Sequence, residues 1–357
     1  MTALPVQQTF SLIGNARALA AVQRALASGS PPHAWLFAGP EGVGKAPLAR
    51  WLAQAVNCER TAVRRDETSA VEPCGECAQC TRIARGIHSD VVTVSIPPPE
   101  DGVQHKDISV DQVREVEQAV ALAPFEGRTR VAIIDPADAM SGGAQNAFLK
   151  TLEEPPPNAG FVLIATREDA LLPTVRSRCR KVEFGLVAAG EIEAALRERS
   201  VDEEQARLLS RLAEGRPERA LALAADPKRL DKRRELLAEA SALAGMPMAD
   251  LMDLTERMAR QFRERRESVF DRLSAWLSWW RDVLLVQSGA GDGVANVDLL
   301  EGVRHDADRY ERADVISFVQ ALGKCRARLE ANVQARVALD AMLVLAPRVR
   351  TSDALRA

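Results

Sequence analysis

Apolar positions in the first half of the chain fall into two kinds of spacing. Short unbroken runs at 35–38, 91–94, 131–134 and 161–166 are rich in β-branched or aromatic residues, as in strands buried within a parallel sheet. Between them, apolar residues recur at helical intervals over 10–27, 48–56, 110–122 and 145–154. The first of these helices would face inward with Ile13, Ala16, Leu19, Val22 and Leu26, and the last is stopped by Pro155-Pro156-Pro157. Beyond Gly185 the strand signals stop. Short helices are expected over 191–199, 203–213 and 219–225, with Gly215-Arg216-Pro217 as a turn. Long amphipathic helices follow from about 230 to 345, broken at 288–293 by a glycine-rich connection without a preceding strand. Trp276, Trp279 and Trp280 share one helix face and are expected in a core rather than at a subunit contact. Arg260, Arg263, Arg265 and Arg266 are expected on a solvated face.

The pattern predicts an α/β domain followed by all-α segments, and 357 residues suffice for two or three domains. A net charge of -3 argues against a globally basic nucleic-acid protein while leaving room for a local basic face. No basic head precedes an apolar run and no stretch nears 18 apolar residues, so a soluble, cytoplasmic protein without a membrane segment is expected. Six cysteines in such a chain do not suggest a disulfide framework, because a reducing cytosol would not maintain one.

Candidate chemistry begins where the first strand ends. Gly39, Gly42, Gly44 and Lys45 form G-x-x-x-x-G-K between a strand and a helix, the arrangement in which backbone N–H groups and a helix N-terminus face a phosphate. The next residue should be Ser or Thr, whose hydroxyl ligates Mg²⁺, and it is Ala46. Asp135 ends the 131–134 run where such proteins hold the metal's waters, but Pro136 follows and cannot accept a proton. Thr166 ends another strand, where open α/β sheets place ligand contacts, or it satisfies a turn. His33, just before the first strand, is expected to be structural rather than part of a base pocket. The nucleotide site is therefore degenerate, and binding of ATP with Mg²⁺ is in doubt.

Cys74, Cys77 and Cys80 follow a C-x2-C-x2-C spacing, and Cys58 lies a loop away. Four thiolates suit a closed tetrahedral Zn²⁺ site that pins an inserted loop. An iron-sulfur cluster or unligated thiols are the alternatives. Cys179 and Cys325 stand alone.

Several motifs together resemble the AAA+ clamp-loader family. They are the loop Gly39 to Lys45, the four cysteines, the run Ala147-Phe148-Leu149-Lys150-Thr151-Leu152-Glu153-Glu154-Pro155-Pro156, and Ser177-Arg178-Cys179. The resemblance is dense from about 13 to 184 and thinner afterwards. It implies a RecA-like AAA+ domain over 1–185 with a zinc module around 58–80, a helical lid over 186–228, and a helical collar over 229–357. It also implies that Arg178 is a trans-acting arginine finger, since a planar, permanently charged guanidinium suits a phosphoryl group held by the next subunit. The alternative for Arg178 is a structural salt bridge. Implied partners are ATPase and delta subunits in a hetero-pentameric ring, a sliding clamp, and primer-template DNA reached through the complex.

Ala46 and Pro136 depart from the family's hydrolysing members. Asp138 is the nearest acid to the missing base, but its register turns it elsewhere. In the lid, 215–221 resembles the segment carrying a nucleotide-sensing arginine, with Glu218 near that arginine's place. These departures favour a non-hydrolysing clamp-loader subunit. The rival is an active ATPase of the same fold, the loader's motor or a related DNA-remodelling motor. A zinc-dependent DNA-binding module fits poorly, because the cysteines lie inside the α/β domain of a net acidic chain.

Overall fold

A computed structural model describes residues 12–60, 71–97, 105, 107–331 and 333–348. The start of the first expected helix, much of the charged stretch after Cys58, and most of the proline-rich loop before Asp107 lie outside these residues.

Helix α1 (Ala16–Ala27) begins later than its apolar spacing suggests. Gly14 and Asn15 are left-handed, with φ of 66° and 50°, and a right-handed helix does not pass through them. Its buried positions are Ala18 and Val22, whereas Ala16 is exposed, so the inward face is rotated from the expected one. Strand β1 (Ala34–Ala38) then enters the glycine loop, and α2 (Lys45–Asn57) leaves it. Helix α3 (Ala78–Ala84), which contains the last cysteine of the run, Cys80, carries no apolar pattern that predicts it. Next come β2 (Val91–Val94), α4 (Val110–Ala121), β3 (Arg130–Ile134), α5 (Gly142–Glu153), β4 (Ala159–Ala165), the single turn α6 (Pro173–Arg176) and β5 (Arg180–Glu183).

All five strands pair in parallel, in the order β2-β3-β4-β1-β5. Alternation along β1 splits its side chains between two cores. Leu36 packs with Phe148, Phe161 and Leu163, while Trp35 and Phe37 pack with Leu48, Trp51 and Ile164. β5 escaped the sequence reading because only Val182 of its four residues is buried; it is a charged edge strand.

Eight helices follow among the described residues: α7 (Ala189–Glu198), α8 (Glu203–Leu212), α9 (Pro217–Ala225), α10 (Pro227–Ala242), α11 (Met248–Glu264), α12 (Arg266–Gln287), α13 (Leu300–Arg309) and α14 (Arg312–Glu330). A further helix, α15 (Ala335–Leu343), ends the described fold. By internal contacts the chain divides into two compact units. One runs through Ala195 and takes in Gly215–Arg219; the other combines Leu196–Glu214 with the chain from Ala220 onward. Segment 186–228 is thus shared between them.

The second unit is built on α12, which packs against α10, α11, α13 and α14. Trp276, Trp279 and Trp280 are buried there as the core stripe their spacing predicts. Trp280 meets Tyr310 and Phe318 edge-on at 5.5 and 5.8 Å. The arginine set is only partly solvated. Arg263 and Arg265 are exposed, but Arg266 lies over the rings of Phe262 and Phe270 and donates to Leu329 O at 2.7 Å. No described helix is long and apolar enough to cross a membrane.

Candidate functional site

The carboxyl ends of β1, β3 and β4 bring the glycine loop and the acids together. Gly39 N donates to Ala165 O at 3.2 Å, which ties the loop to the end of β4. Gly39, Gly42 and Gly44 all have positive φ, of 149°, 75° and 99°. A β-carbon at Gly39 would stand 2.3 Å from Phe184 O, and one at Gly44 would stand 2.5 Å from Leu12 Cδ1. Asn15 clasps the assembly from the side, donating to Val43 O and Gly185 O and accepting from Gly185 N.

Lys45, the expected phosphate ligand, is buried and turns back on its own loop. Its Nζ donates to Gly39 O at 2.6 Å and to Pro40 O at 2.5 Å. Burial pushes the ammonium below its ordinary pKa, against the pull of Asp135, Asp138, Glu218 and Glu41. Burial likewise raises the Asp135 carboxyl; Lys45 lowers it, and Glu218 and Asp138 push it up again. These groups feel one another electrostatically, so the structure does gather the predicted lysine and acid into one place. Ala46, at the second position of α2, contributes no oxygen there.

Asp138 is engaged by the backbone at the end of β4. Its carboxylate accepts from Thr166 N at 3.3 Å and from Arg167 N at 3.1 Å, so it caps the end of β4. Thr166 therefore enters the site through its backbone, with an exposed side chain. His33 contacts Leu152 O at 3.0 Å through Nε2, a structural role. The turn before α9 lies over the loop: Glu218 N donates to Gly42 O at 3.1 Å, and a β-carbon at Gly42 would stand 3.4 Å from Arg216 Cβ. Nothing local to the sequence of this segment reports what it covers.

Arg178 lies apart from these groups, between α6 and β5. Its Nη2 donates to Glu153 Oε1 at 2.5 Å and its Nη1 to Thr174 O at 2.9 Å. Within the single chain it is ion-paired and one-third exposed.

The four cysteines converge as their spacing suggests, with all four Sγ atoms within 4.8 Å of one another and none in a disulfide. A tetrahedral Zn²⁺ with bonds of about 2.3 Å needs sulfurs roughly 3.8 Å apart, which lies within that bound. Three backbone N–H groups already point at sulfur: Cys74 N at Cys58 Sγ, Cys77 N at Cys74 Sγ and Cys80 N at Cys77 Sγ, at 3.3, 3.3 and 3.5 Å. Burial raises the Cys77 and Cys80 thiols, so a divalent cation would be needed to hold them as thiolates. The donor set fits a metal. Gln54 Nε2 anchors the module by donating to Cys80 O at 2.8 Å.

A glycine loop between β1 and α2 of a parallel sheet, with an acid directly after β3, is the arrangement of a P-loop. The family model described as DNA polymerase III, delta subunit, matches residues 14–187. The chain is 36% identical to DNA polymerase III subunit tau of Bacillus subtilis over 56% of its length, and spans about a third of that relative, 32%. It is 28% identical to subunit gamma of Buchnera aphidicola over 77% of this chain and 73% of the relative. The chain is thus similar to subunits of DNA polymerase III. A likeness running nearly the full length of both chains is to subunit delta prime (δ′) of Bacillus subtilis, 27% identical over 88% of this chain and 90% of that one.

Proposed function

We propose that the chain is a δ′-type, non-hydrolysing subunit of a bacterial clamp loader. It would lend Arg178 to ATP bound by a neighbouring ATPase subunit and help place a sliding clamp on primed DNA. The observation carrying this reading is the state of its own nucleotide loop. Ala46 offers no metal ligand, Pro136 cannot accept a proton, and the nearest acid, Asp138, is committed to backbone N–H groups. A motor that hydrolyses ATP needs both the metal ligand and the base. Arg178, by contrast, sits at the surface with a guanidinium suited to a phosphoryl group presented by another chain.

In this reading the segments divide into a RecA-like domain, a lid over 186–228 and a collar from 229 that joins a hetero-pentameric ring with ATPase and delta subunits. Cys58, Cys74, Cys77 and Cys80 hold a structural Zn²⁺. With four protein ligands it would keep no open position for chemistry.

Two measurements test the reading. The purified chain, with Mg²⁺ and primed DNA, should show no ATP turnover above that of its Lys45→Ala variant; turnover abolished by that change would favour the motor reading. In the reconstituted loader, Arg178→Ala should lower ATP turnover several-fold while assembly is retained, and an unchanged rate would remove the finger assignment.

A further inference from the structure

Glu153 is the last residue of α5, where unpaired helix carbonyls converge and a carboxylate is disfavoured. Glu154 and Pro155-Pro156 follow, so the helix cannot continue and bury the charge elsewhere. Its partner is Arg178, held at 2.5 Å, with side chains 49% and 33% exposed. A pair this exposed adds little to folding stability, so it does not by itself justify an acid at a helix C-terminus.

The contact does fix direction. Thr174 O takes Nη1 and Glu153 Oε1 takes Nη2, so two acceptors from different elements set the plane of the guanidinium. Thr174 belongs to α6, which also places the arginine's backbone, since Arg178 N donates to Val175 O at 3.2 Å. Glu153 alone approaches from another helix, across 25 residues of sequence. A guanidinium anchored on two sides keeps its other N–H groups available along one fixed direction.

We propose that Glu153 is the positioning residue of Arg178, holding the guanidinium plane in the orientation in which it meets the neighbour's phosphoryl group. This role rests on the finger reading above. It is one of geometry rather than charge, because the carboxylate weakens the net field of the arginine while fixing its aim.

The test is a double-mutant cycle in the reconstituted loader, with ATP turnover measured against ATP concentration and assembly followed by gel filtration. Glu153→Ala should lower kcat about 3- to 10-fold with KM for ATP unchanged. Glu153→Gln, whose amide oxygen still accepts from Nη2, should stay within about twofold of the parent. Adding Glu153→Ala to Arg178→Ala should slow turnover no further. An unchanged or faster kcat for Glu153→Ala, a Gln variant as slow as the Ala variant, or a full additional loss in the double variant would each overturn the proposal. If Arg178→Ala itself leaves turnover untouched, the finger reading fails instead. Glu153 is half exposed, so these changes leave the core of the α/β unit in place.

Discussion

Buried just before β2, Asp90 gathers the loop that precedes β3. It accepts from Phe125 N, Glu126 N and Gly127 N at 2.7–2.8 Å and faces Arg130 at 3.5 Å. Burial alone would raise its carboxyl, but the three N–H groups and the arginine outweigh it, and the pKa lies below its ordinary 3.8. The unfolded chain therefore binds the proton first as pH falls. The stabilisation is complete above about pH 3.8 and is lost as pH drops through the lowered value. Asp90→Asn turns an amide donor toward backbone donors, so it should cost about 1–3 kcal/mol at pH 7 and flatten the acid limb of stability against pH. Chemical denaturation between pH 2 and 7 checks both; a variant as stable as the parent would refute the account. Asp90, Asp138, Asn15 and Glu153 share a property that kept their roles out of the sequence reading. Each acts on groups 28 or more residues away in sequence, except Glu153 with 25, and short motifs do not register such separations. Lys45 and Asp135 were legible because loop and strand end are local patterns. What Lys45 bonds to was not, since that depends on how its own loop closes.

Most elements with strong periodicity were found nearly to their ends, the start of α1 excepted, whereas those built by tertiary context were not. β5 carries one buried residue and α3 is capped by Cys77, whose Sγ accepts from Cys80 N. Neither has an apolar pattern to find. In α3 the cap and the proposed metal ligand are the same residue, so metal binding and the start of the helix are linked. Cys80→Ser should remove stoichiometric zinc from the purified chain, measured by elemental analysis, and lower the melting temperature. Chelation of the parent should reproduce the thermal effect. A parent chain that carries no zinc would dismiss the metal, and the thiols would then be ordinary packing residues.

At the scale of the whole molecule, two cores of different kinds lie along one chain. The first is divided by a sheet into two faces, and the second surrounds α12. Trp280 is fully buried in the second, between Tyr310 and Phe318. Trp280→Ala should cost about 3–5 kcal/mol in the helical unit. Unfolding followed by tryptophan fluorescence reports this well, because α12 holds three of the five tryptophans. A midpoint that does not move would mean that the site collapses around the smaller side chain. Alternation of strands and helices made the first unit legible as a class. Amphipathic spacing showed that the second was helical, but it carried no information on which helices pair, because those contacts join residues far apart in the chain.

The glycines at the head of α2 are demanded twice over. Their positive φ angles disfavour any side chain, and at Gly39 the Phe184 carbonyl already fills the space a β-carbon would need. They would be retained under selection for the fold alone, in a lineage that had long ceased to bind nucleotide. A genome scan that counts ATPases by G-x-x-x-x-G-K would enrol such chains as motors. The informative position is the one directly after the lysine, where packing makes no demand for a hydroxyl and only chemistry would keep one.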